Sequence, residues 1–157
     1  MQSRRGISII ELLVVIALMI VVASTSTLIL LGRRNVVSLE NTTQQMTAVL
    51  REAQSRSIAQ SSSTGWGVHF ANSTATTPYF AMFAGSVFAT SAAQGYHLLS
   101  DSVRFATSSL AAGATRTVSF AQRTGAASAS TSIKIELIVN PSISSTIRIA
   151  SSGLVSF

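Results

Sequence analysis

The sequence predicts an α+β fold: a long N-terminal helix packed on a mostly antiparallel β-sheet domain. Three observations predict it. A long apolar run lies near the N-terminus, with no charge across residues 12–32. An amphipathic stretch with neither Pro nor Gly follows, over residues 35–64. After it come short apolar/polar alternations separated by Ser, Thr, Gly, Asn and Pro, the pattern of strands and turns. With 157 residues the chain has room for one such domain and an appendage.

The apolar run comes first. Its 21 residues would span about 31 Å as a helix, against a bilayer core of about 30 Å. A transmembrane segment over residues 7–32 is therefore expected. A cleaved secretory signal fits less well, because the stretch is too long and Glu11 stands near its start. A carboxylate at bilayer depth costs roughly 2.5–3.5 kcal/mol on insertion scales, so Glu11 calls for a reason. Arg4 and Arg5 precede the run and Arg33 and Arg34 follow it, so positive charge alone leaves the orientation open. Ser24, Thr25, Ser26 and Thr27 read as a polar patch at close helix contacts rather than as a soft point of the helix.

From Val36 the pattern changes. Val36, Leu39, Thr43, Met46, Leu50, Ala53 and Ser57 alternate spacings of three and four, which marks one helix face. Glu40, Arg51, Glu52 and Arg56 fall off it, and Glu52 with Arg56 forms an i,i+4 pair of favourable polarity. The helix should end near Gln60, before Ser61, Ser62, Ser63, Thr64 and Gly65. Residues 66–70, 79–83, 103–106, 117–120, 133–139 and 146–149 read as strands, with Asn140, Pro141 and Ser142 as a turn. Trp66 reads as sheet packing, His69 as a strand residue and His97 as a loop residue.

Composition disfavours an enzyme. There is no Cys, and only two His and five acidic residues. Those numbers leave no thiol nucleophile and little for a metal site or an acid–base pair. No catalytic residue, cofactor or metal is expected. Residues 33–157 hold nine Lys and Arg against four Asp and Glu, a net charge of +5. Arg104, Arg116, Arg123, Lys134 and Arg148 are the candidate contacts to a polyanion such as DNA.

The segment Arg4-Arg5-Gly6-Ile7-Ser8-Ile9-Ile10-Glu11-Leu12-Leu13-Val14-Val15-Ile16 resembles the prepilin signature of type IV pilins and type II secretion pseudopilins. The resemblance implies a leader over residues 1–6, cleavage by prepilin peptidase between Gly6 and Ile7, and N-methylation of Ile7. It also implies that Glu11 sets register in the assembled fibre. Cleavage would turn a neutral amide into a cationic amine one helical turn before Glu11, a partner within a chain or between staggered helices. Residues 50–59 followed by Gly67-Val68-His69-Phe70 resemble the GspH/FimT pseudopilins, as do Thr117-Val118-Ser119-Phe120 with Gly125 and the closing Ile147-Arg148-Ile149 and Gly153-Leu154-Val155. DNA-binding members carry a Gly-Arg-x-Arg element near the end, where Gly153-Leu154-Val155-Ser156 has no Arg.

The domain reading is then 1–6 leader, 7–32 transmembrane and polymerisation helix, 33–61 amphipathic helix and 62–157 β-rich pilin domain. The expected function is that of a minor pilin or pseudopilin, a fibre subunit of a type IV pilus or a type II secretion pseudopilus. Its expected partners are other such subunits, prepilin peptidase, an inner-membrane assembly platform and, before assembly, membrane lipid. The expected location is the bacterial cytoplasmic membrane, single-pass with the C-terminal domain outside, and then a fibre in the periplasm or at the cell surface. The alternatives are a DNA-binding competence pilin and an uncleaved, membrane-anchored β domain.

Overall fold

The computed structural model of the chain describes residues 8–61 and 64–157; residues 24–32 are described by their backbone only. Helix α1 runs Ile9–Ile58. Eight strands follow: β1 (Trp66–Ala71), β2 (Tyr79–Ala84), β3 (Ala93–Leu98), β4 (Val103–Phe105), β5 (Thr115–Phe120), β6 (Thr131–Leu137), β7 (Ser144–Ile149) and β8 (Val155–Ser156). Two compact units divide the chain within α1, one up to Arg34 and one from Asn35 to Phe157.

The first unit overturns one expectation. Among the described residues no helix is long and apolar enough to cross a membrane. Polar residues break the apolar run: Glu11 stands near its start, and Ser24, Thr25, Ser26 and Thr27 lie within it. The transmembrane half of the expected fold, the single-pass placement in the cytoplasmic membrane and the lipid partner are withdrawn on this finding. The alternative of a single-span membrane anchor goes with them. The leader and cleavage site at Gly6 and Ile7 lie outside the described residues.

The second unit corrects the single expected sheet. There are two antiparallel four-stranded sheets, ordered β3-β2-β1-β5 and β4-β6-β7-β8. Leu39, Met46, Val49, Leu50 and Ala53 of α1 join inward residues of both sheets in one core. The expected helix face is buried from Leu39 to Ser57, whereas Val36 is exposed. Its two polar members are satisfied locally. Thr43 Oγ1 donates to the Leu39 carbonyl at 2.8 Å, and Ser57 Oγ accepts the Trp66 backbone N–H at 2.8 Å. Thr42 and Thr47 make the same i−4 bond, which lets three threonines line a buried helix face.

The closing turn of β5 locks onto the end of the helix. Arg123 takes φ of +71° and donates its N–H to the Ser57 carbonyl at 3.1 Å, one of the helix-end acceptors. Gln54 Nε2 donates to the Gly125 carbonyl at 3.1 Å. Gly153 sits against the same carbonyl, at φ of +91°, where any Cβ would lie 2.1 Å from the Gly125 oxygen.

Six strands fall where the alternation puts them, with ends moved by at most two residues. Asn140 makes the expected turn, its carbonyl accepting from Ile143 and its Oδ1 from Ser142. Strand β3 escaped the sequence pattern, and His97 lies in it rather than in a loop. The pairing of β3 with β2 slips between Ala81 and Met82, around Gly95 at φ of +74°, so alternation breaks there. Strand β8 has only two residues and leaves no period to detect.

Candidate functional site

Alternation decides which side chains leave the core. In the second sheet Val103, Phe105, Ile133, Ile135, Leu137, Ile147 and Ile149 are buried. Their strand neighbours Arg104, Ser132, Lys134, Glu136, Thr146 and Arg148 therefore share the opposite, outward face. Arg104 is paired with Glu136, Lys134 with Thr146, and Ser132 with Arg148. Lys134 is thus the diagonal neighbour of both Arg104 and Arg148, so the three cations form a slanted row with steps of about 7–8 Å.

This row is the candidate site. One carboxylate stands in it. Arg104 Nε and Nη2 both lie 2.9 Å from Glu136 Oε1, and Glu136 is 8% exposed. That pair fixes Arg104 and removes part of its charge. The other ion pair among the described residues is Arg56–Glu52 on α1, so Lys134 and Arg148 keep their charge free for a ligand. Beside Arg148 the surface dips into a groove of about 470 Å³, lined by Ser130, Thr131, Ser132, Leu154 and Ser156 among others. Short hydroxyl side chains there can donate or accept hydrogen bonds.

The five predicted cations do not converge. Arg104, Lys134 and Arg148 share the outward face. Arg116 of β5 reaches its border, where Nη1 donates to Thr131 Oγ1 at 2.9 Å and to the Ser132 carbonyl at 3.4 Å. Arg123 stands apart, in the turn under the end of α1. Glu11 lies in the first turn of α1 and is exposed. Glu136 was missed by sequence reasoning, although its alternation with Ile135 and Leu137 places it beside Lys134.

A second feature was missed. On the outward face of the first sheet aromatic rings stand over small residues. His69 is 8% exposed, shares a 2.8 Å hydrogen bond between Nδ1 and Thr117 Oγ1, and stacks on Phe88 with centroids 3.8 Å apart. Burial pushes the His69 imidazole below its ordinary value of 6.5, because the charged form loses hydration. Phe88 meets Phe83 edge-on at 5.5 Å, and Tyr79 meets Tyr96 at 5.3 Å. Gly67 makes room for this layer, since a Cβ there would lie 2.6 Å from the Phe83 ring. The signal was the alternation of Gly67, His69 and Ala71 with core residues, which says that a second face exists but not what covers it.

On the helix side His97 stacks on Phe80 and meets Gln45 at 3.0 Å, a structural role. Trp66 lies in the core, with the Arg56 guanidinium 4.7 Å above its ring and with Nε1 buried and unpartnered. Among the described residues no three His, Cys, Asp or Glu are grouped as metal ligands. No protein-family model, curated protein or solved structure matches the chain.

Proposed function

We propose that the chain is a structural subunit of a pilus or secretion-pseudopilus fibre, matured by prepilin peptidase between Gly6 and Ile7 and assembled through α1 with other such subunits. One observation carries the reading. The prepilin-like run from Arg4 to Ile16 leads into a helix whose apolar side chains are exposed around its whole circumference, from Ile9 at 81% to Val22 at 65%. Such a surface gains about 1.5–3 kcal/mol per large apolar side chain when neighbouring helices cover it. Glu11, alone among these residues in its charge, then takes the Ile7 amine of its own or a neighbouring chain and fixes the axial step.

The N-terminal peptide of the mature protein tests this by mass spectrometry. A peptide beginning at Ile7 with one added methyl group, recovered from purified filaments, is the expected result. An intact leader in cells that contain the peptidase would overturn it. Glu11→Gln should leave cleavage intact and reduce filament yield at least about tenfold.

The second reading is polyanion binding, favoured by the row of Arg104, Lys134 and Arg148. Binding to duplex DNA should weaken linearly in log–log terms with salt, with a slope of about −2 to −3 for two or three neutralised phosphates. Replacing Lys134 and Arg148 by Ala should flatten that slope, and the absence of binding at low salt would remove the reading.

A further inference from the structure

The two sheets turn opposite chemistries outward. The second sheet shows cations. The first shows no Asp, Glu, Lys or Arg at any outward position of β1, β2, β3 or β5, in a chain of net charge +6. Its exposed outward side chains are Tyr96 at 49%, Leu98 at 63% and the hydroxyls of Thr115 and Thr117. Tyr79 lies beside Tyr96, and the β2–β3 loop forms a wall, with Phe88 packed down on His69 and Val87 exposed.

The geometry points to an uncharged oligosaccharide as the ligand of this face, held over Tyr79 and Tyr96 between Leu98 and the loop wall at Phe88. Three observations carry it. The first is charge: the face offers no counter-ion to a phosphate, sulfate or carboxylate, so a charged ligand would find nothing there to offset its lost hydration. The second is the kind of group present. The negative face of a Tyr ring attracts the weakly positive C–H groups of a sugar ring, and phenol and Thr hydroxyls answer the sugar hydroxyls. The third is area. The sheet measures about 20 by 19 Å, but Phe88 covers its middle, where His69 is 8% exposed and Ala81 and Phe83 are fully buried; the part left open around Tyr79, Tyr96 and Leu98 is well under the roughly 800 Å² per partner that a standard stable protein interface buries. The open part is thus small for a second copy of the chain and wide enough for a few sugar rings. Gly67 and Ala81 form the floor, both buried, so the rings above them are held by packing and not by the ligand.

Titration of the full chain with maltohexaose, cellohexaose and chitohexaose, followed by backbone amide shifts, tests the assignment. The expected result is a saturable shift with at least one of the three, centred on Tyr79, Tyr96, Leu98 and Thr117. Tyr96→Ala should weaken it at least about tenfold, and Arg148→Ala on the other sheet should not change it. Leu98→Ser, at a more exposed position, serves as a second variant should Tyr96→Ala disturb the fold. No shift with any of the three at millimolar sugar overturns the assignment, as does a shift centred on another face. Concentration-dependent shifts of the same amides without sugar would assign the face to a second copy and also overturn it.

Discussion

Gly153 shows how one residue can hold three segments together. Its φ of +91° is poorly open to an L side chain, and a Cβ would meet backbone at 2.1 Å and Gln54 Nε2 at 2.3 Å. The backbone there cannot yield without releasing the Gln54 bond that ties α1 to the turn at Gly125. Gly153→Ala should therefore cost about 2–4 kcal/mol in denaturant unfolding. An unchanged midpoint would show that this contact is not tight. His69 carries the pH dependence expected at this scale. Its imidazole protonates less readily in the folded chain, whereas the unfolded chain takes a proton near 6.5. The stability it gives is then whole above pH 6.5 and falls as the pH drops below that value, levelling once the folded imidazole is protonated. The Tyr79 ring packs beside it, with centroids 6.4 Å apart. Urea unfolding at pH 7.5 and 5.0 should show the loss, and His69→Gln should remove that part of the difference.

At the scale of elements, the part of α1 that follows Asn35 is the centre of the β unit. It carries Met46, Leu50 and Ala53, each fully buried, into the core. It also bonds outward to three strands: Gln45 to His97 and Arg56 to Gln94 in β3, Ser57 to β1 and Arg51 to the Val155 carbonyl in β8. Its amphipathic face is buried, and packing of such a face rather than propensity supplies most of a helix's stability in a protein. Leu50→Ala removes a fully buried side chain between the sheets and should cost about 2–5 kcal/mol. The same change at Val37, which is 52% exposed, should stay within about 0.5 kcal/mol. Equal effects of the two in thermal unfolding would contradict the observed face. The Glu52–Arg56 pair lies on the exposed side and adds little, as surface pairs do.

For the whole molecule, the unit from Asn35 to Phe157 holds all eight strands and the entire core cluster. A chain beginning at Asn35 should therefore fold cooperatively, with a melting temperature within a few degrees of the full chain. A loss of cooperativity would show that residues before Asn35 contribute to that core. Division of labour follows from the same split. In the proposed function the exposed apolar helix serves assembly, which leaves the two outward sheet faces, one cationic and one neutral and aromatic, free to differ.

Much of this was legible in the sequence because periodicity is a local property. Spacing of three and four gave the buried face of α1 from Leu39 to Ser57, and alternation gave six strands and the inward isoleucines of β6 and β7. The run from Arg4 to Ile16 carried the pilin resemblance by residue order alone. Tertiary structure decided what local patterns leave open. A bulge at Gly95 hid β3, because a one-residue slip breaks the period that marks a strand. Which strands pair, and so the division into two sheets, depends on contacts between residues far apart in the chain. Pairing of β4, β6 and β7 is what sets Arg104, Lys134 and Arg148 in one row and Glu136 within it, and what leaves Arg123 outside. The membrane reading rested on a hydropathy run that counts residues without charge and passes over the polar Ser24, Thr25, Ser26 and Thr27, and among the described residues no helix is long and apolar enough to cross a membrane.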